Sequence, residues 1–161
     1  MRGCQECRSD PIGSRFVHTN LVARDWKRLA RFYQQVFGCV PVPPERELNG
    51  RWLEEATGVP NAEIRGVQLR LPGRGQEGPT LEIFQYNYEE GRPEPAVNCP
   101  GFAHIAFAVE DVEAARDAVI AAGGKVVGEI VSVQIPPAGT VSFVYVRDPE
   151  GNIIELQRWS P

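Results

Sequence analysis

FVHTNLVARDWKRLARFYQQVFGC, residues 16–39, and FAHIAFAVEDVEAARDAVIAAGGK, residues 102–125, superimpose without a gap. The alignment places His18 on His104, the only two histidines of the chain. It also pairs Asp25 with Asp111, Leu29 with Ala115, Val36 with Ala122 and Gly38 with Gly124. Such self-similarity marks an internal duplication. Each copy later reaches a strand-like run with an acidic residue among apolar ones, TLEIFQY at Glu82 and NIIELQ at Glu155. Two histidines and two carboxylates at equivalent points of a twofold repeat form a candidate metal site of octahedral or near-octahedral type.

Working outward from the repeat, residues 15–22 alternate as a strand, with Phe16, His18 and Asn20 on one face. A helix follows: Asp25 stands at its N-cap, and Trp26, Leu29, Ala30, Tyr33, Val36 and Phe37 recur at helical spacing before Gly38 stops it. CVPVPPERELNG is proline-rich and extended, and RWLEEATG reads as a short helical turn ended by Gly58. Residues 63–71 and 80–86 read as strands around the turn-rich PGRGQEGP. The second copy repeats the order: a strand over 102–109, a helix capped by Asp111, extended chain over 125–133, then a hairpin of 140–147 and 152–159 around DPEGN. The fold class is α+β, with two βαβββ modules in tandem whose open sheet faces can enclose a cleft. The boundaries are a leader over 1–14, a first module over 15–86, a linker over 87–100 and a second module over 101–161.

Composition narrows the functions. At 161 residues the chain can bury a real core, and 42% apolar with 24% charged residues is ordinary for a globular protein. A net charge of −4 with no basic block argues against a nucleic-acid or anionic-membrane partner. No apolar run approaches the roughly 20 residues that span a bilayer. The start, MRGCQECRSDPIG, lacks the apolar core of a signal peptide, so cytoplasmic localisation is expected. Cys4 and Cys7 form one C-x-x-C with no second ligand pair, which favours reduced thiols over structural zinc. Cys39 and Cys99 have no neighbouring histidine to act as base, so a cysteine nucleophile is not expected.

An isolated strand histidine is ordinarily just hydrogen-bonded, and a strand glutamate commonly pairs with arginine, for which Arg70, Arg147 and Arg158 are available. The duplication tips the balance towards a metal, because both residue types recur at matching positions. A carboxylate in an apolar strand is costly to bury without a partner, and a divalent cation is such a partner.

Residues 15–159 resemble the vicinal oxygen chelate superfamily, most specifically in FVHTNLVARD, FAHIAFAVED, RFYQQVFG and VRDPEGNIIEL. That superfamily includes glyoxalase I, methylmalonyl-CoA epimerase, extradiol dioxygenases, fosfomycin-resistance enzymes and bleomycin-binding proteins. The resemblance implies that His18, Glu82, His104 and Glu155 ligate a divalent ion, whether nickel, cobalt, zinc, manganese or iron. Four protein ligands leave two adjacent octahedral positions for two oxygens of a small-molecule substrate, so that an enediolate is stabilised by bidentate chelation. The set resembles glyoxalase I, an isomerase or lyase, more than the two-histidine, one-carboxylate oxygenases. YNYEEG is similar to that family's YNWG, displaced by one residue, whereas Val22 stands where glyoxalase I carries a substrate-binding arginine. Glu155 is then both ligand and proton carrier. A methylmalonyl-CoA epimerase-like racemase is the alternative: AEIRGVQLRLP resembles that family's segment, with Glu63 as base, although glutamine usually stands where Glu82 does. A non-catalytic, bleomycin-resistance-like binding protein is the third reading. A homodimer is expected because the modules leave sheet edges and an apolar helix face to cover. Whether the cleft uses two modules of one chain or one from each of two stays open.

Overall fold

A computed structural model describes residues 13–91 and 93–161, and the Cys4/Cys7 pair lies outside them. The first half runs β1 (His18–Val22), α1 (Trp26–Phe37), β2 (Val40–Asn49), α2 (Arg51–Thr57), β3 (Glu63–Arg70) and β4 (Thr80–Tyr86). The second runs β5 (His104–Ala108), α3 (Val112–Ala121), β6 (Lys125–Val126), β7 (Val131–Ile135), β8 (Gly139–Arg147) and β9 (Ile153–Ser160). The sheets have the orders β1-β4-β3-β2 and β5-β9-β8-β6, with β7 also paired to β8. In both, the first strand lies parallel to the last, which makes β1 and β5 matching edges. The fold is therefore the twofold βαβββ repeat.

The caps act as their residue types dictate. Arg28 N donates to Asp25 Oδ1 at 2.9 Å and Ala114 N to Asp111 Oδ1 at 2.8 Å, satisfying donors that a helix start otherwise leaves orphaned. Gly38 ends α1 in the left-handed region at φ 65°, as its lack of a Cβ allows. The prolines of β2 are accommodated because it is an edge strand, and its register shifts between Val42 and Arg46. The extended stretch expected over 125–133 is instead two short strands on the same partner, β8.

One core serves both halves. Leu69, Leu81 and Ile83 of the first sheet, Leu29, Phe32 and Tyr33 of α1, Val119 of α3, and Val144, Ile154 and Leu156 of the second sheet belong to a single buried cluster. The Phe37 and Phe107 rings stack across the halves with centroids 4.0 Å apart. Phe32 is buried although it lies outside the expected helical stripe, because α1 meets its own sheet on one side and the second half on the other. The helix faces thus cover each other within one chain, and the opposite sheet faces are left open. A smaller cluster of Leu53, Ala62 and Ile64 fastens α2 over one end of the first sheet's open face.

Candidate metal centre

Strand alternation decides what the open faces carry. On the first sheet, Asn20 of β1 and Gln68 of β3 flank Glu82 of β4 in register. On the second, Ala106 of β5 and Tyr145 of β8 flank Glu155 of β9. His18 and His104 each lie two residues before those partners and reach diagonally to the carboxylate. His18 Nε2 stands 3.2 Å from Glu82 Oε2, and His104 Nε2 stands 3.0 Å from Glu155 Oε2. The imidazoles keep substantial exposure, 41% and 32%, while the carboxylates are largely covered, at 12% and 17%. His104 also packs against Tyr145, with ring centroids 5.3 Å apart. The Tyr145 phenol is pushed above its ordinary pKa, first by burial and then by the Glu155 charge.

The separations suit a metal. Two donors about 2.1 Å from one ion and 90° apart stand about 3 Å from each other, the distance of neighbouring ligands on an octahedron. Each His–Glu pair is therefore spaced as two neighbouring metal ligands would be, and equally as an imidazole–carboxylate ion pair. The two pairs do not unite within the chain: among the described residues, no three His, Cys, Asp or Glu side chains converge on a point. Between β1 and β5 lies a cavity of about 940 Å³, lined by both histidines, Phe16, Phe102, Tyr88 and Pro95 among others. Phe16 and Phe102 are highly exposed there.

Glu63 goes elsewhere. It begins β3 on the face shared with Arg65, Val67 and Leu69, the helix side, whereas Gln68 and Glu82 occupy the opposite face. Two residues beside Glu82 escaped the sequence reading. Gln68 Nε2 donates to Glu82 Oε1 at 2.6 Å, and an Arg46 guanidinium nitrogen donates to Gln68 Oε1 at 2.9 Å. A signal for Gln68 existed, since closing a β3–β4 hairpin over residues 71–79 sets Gln68 opposite Glu82. Arg46 had none, because the irregular register of β2 determines where it falls. The two remaining cysteines add no chemistry here: Cys39 is buried, with its thiol pushed up to about 11 by desolvation, and Cys99 is exposed in the linker.

Comparison with known proteins agrees with the fold and the repeat. Residues 15–156 match the Glyoxalase/Bleomycin resistance protein/Dioxygenase superfamily, and the chain belongs to it. A probable lactoylglutathione lyase of Vibrio parahaemolyticus is 30% identical over 142 residues, covering 88% of each chain. A probable lactoylglutathione lyase of Vibrio cholerae is 29% identical with the same coverage. Among solved structures, a glyoxalase family protein from Bacillus cereus superimposes with a TM-score of 0.75 at 18% identity, over 98% of this chain and 100% of its own. No helix of the described residues is long and apolar enough to cross a membrane.

Proposed function

We propose that the protein is a metal-dependent isomerase or lyase of the glyoxalase type, acting on a small 2-oxo or 2-hydroxy compound of the hemithioacetal or thioester kind. The observation that carries this reading is the pair of His–Glu separations, 3.2 and 3.0 Å, at equivalent places of the repeat. Relatives named as probable lactoylglutathione lyases support it. A divalent ion held by His18, Glu82, His104 and Glu155 would act as a Lewis acid on the substrate oxygens.

The full set of four requires a second copy of the chain, with His18 and Glu82 from one protomer and His104 and Glu155 from its partner. Both halves face away from the shared core, and the unpaired edges β1 and β5 are free to approach another molecule. Glu155 is the base: it lies on the open face and takes the substrate C–H proton, which it returns to the neighbouring carbon. Removing that proton leaves negative charge on substrate oxygen. The placement of Glu63 on the helix side favours Glu155 over an epimerase-type base.

Glu155→Gln keeps the shape and one oxygen but deletes the base, so turnover falls by at least about 100-fold while much of the metal is retained. Glu63→Gln leaves turnover nearly unchanged. The assay is isomerisation of a glutathione hemithioacetal, with racemisation of an acyl-CoA thioester alongside, on protein loaded in turn with nickel, cobalt, zinc, manganese and iron. No turnover of either substrate at metal saturation would sink the enzyme reading. Loss of activity in Glu63→Gln with activity kept in Glu155→Gln would transfer the assignment to the epimerase chemistry.

A further inference from the structure

The two halves of the repeat treat their carboxylates differently. In the first sheet a polar line crosses all four strands, one residue from each: His18 on β1, Glu82 on β4, Gln68 on β3 and Arg46 on β2. A guanidinium has donors and no acceptor, so the amide of Gln68 must turn its oxygen to Arg46. Its NH₂ group is thereby committed to Glu82. Arg46 is in turn anchored by a bond to the Pro44 carbonyl within β2. Glu82 Oε1 is occupied by this contact at 2.6 Å, and only Oε2 is presented to His18.

The matching place in the second sheet is filled otherwise. Tyr145 stands opposite Glu155 in register as Gln68 stands opposite Glu82. Its ring packs against His104. Among the described residues, Glu155 pairs with His104 and its charge acts on the Tyr145 phenol, with no amide donor in the place that Gln68 takes beside Glu82.

We infer that Gln68, oriented by Arg46, is a positioning residue that fixes Glu82 as a static, one-oxygen ligand. The inference rests on the metal-centre reading above. Partners of this kind that orient a metal ligand typically change metal affinity 10–100-fold when lost.

The test uses the full chain and the metal alone as probe. Calorimetric titration with Ni²⁺ and the visible spectrum of the Co²⁺-loaded protein are compared for the parent, Gln68→Met, Arg46→Met and Arg46→Lys, with thermal melts confirming folding. Gln68→Met is expected to weaken Ni²⁺ binding by about 10–100-fold and to alter the Co²⁺ spectrum. Arg46→Met, which releases the amide to rotate without removing it, moves both readouts in the same direction by less, and Arg46→Lys restores part of the loss. A merely structural role would lower the melting temperature and leave the spectrum of the folded fraction unchanged. Ni²⁺ affinity within twofold of the parent in both Gln68→Met and Arg46→Met overturns the inference and leaves the metal centre standing. A parent chain that takes up neither ion overturns the metal reading itself, and this inference with it.

Discussion

Asp148 is only 2% exposed, yet its carboxyl accepts from four donors: Tyr33 Oη at 3.0 Å, Glu150 N and Asn152 N at 2.9 Å, and Asn152 Nδ2 at 2.7 Å. Three of these shape the turn between β8 and β9, and the fourth ties that turn to α1. Burial raises the Asp148 pKa above its ordinary 3.8, while the hydrogen bonds hold it back. Burial and the Asp148 charge push the Tyr33 phenol well above its ordinary value. A raised carboxyl pKa means that the folded chain binds its proton more tightly than the unfolded chain does. The contribution of Asp148 to stability is therefore greatest below the ordinary value and declines as pH rises through the raised one. Tyr33→Phe removes one donor from a buried group and should cost about 1–3 kcal/mol in urea denaturation at neutral pH. The penalty should grow as pH climbs through that window, since a carboxylate needs the donor more than a carboxylic acid does. A penalty that is flat with pH would count against this account. The sequence marked DPEGN as a turn and Tyr33 as apolar-face; a bond spanning 115 residues had no local signature.

At the level of elements, β3 shows where propensity misleads. Gly66 sits inside the strand, where glycine is ordinarily a weak choice. A Cβ there would fall against the backbone oxygen of Ile83 and the ring of Phe84 on β4, well inside van der Waals contact. Gly66→Ala, which intrinsic strand preference would score as neutral or better, should instead destabilise the protein by about 1–3 kcal/mol in thermal melts. An unchanged melting temperature would show that β4 yields more easily than its pairing suggests. The helices and the longer strands were legible because their caps and periodicity are local. The division into β6 and β7 was not, because both are defined by their pairing to β8 rather than by their own residues.

For the whole molecule, the arrangement of the helices decides how the site can be built. With α1 and α3 packed in a common core, the two His–Glu pairs lie on faces turned away from that core, and on the proposed reading each is half of a metal site. The apolar helix face that argued for a dimer is covered internally, so the proposed dimer would draw on the sheet edges and on exposed apolar side chains such as Phe16 and Phe102. Complementation tests the shared site directly. His18→Ala and His104→Ala chains are each expected to be inactive alone. Mixed after subunit exchange, they form dimers in which one site carries both substitutions and the other carries none, so about a quarter of the parental activity returns for a closed twofold dimer. A site completed within one chain would give no recovery.

The repeat, the two modules, the helix caps and the four candidate ligands were determined by sequence alone, because each depends on residue type and short-range spacing. Tertiary structure decided the rest. It separated the candidate ligands into two pairs, since the halves meet through their helices and not through their open faces. It set Glu63 aside, since continuous strand register puts it on the opposite face from Glu82. It also brought Gln68 and Arg46 behind Glu82, because pairing across strands joins residues that no period along the chain connects.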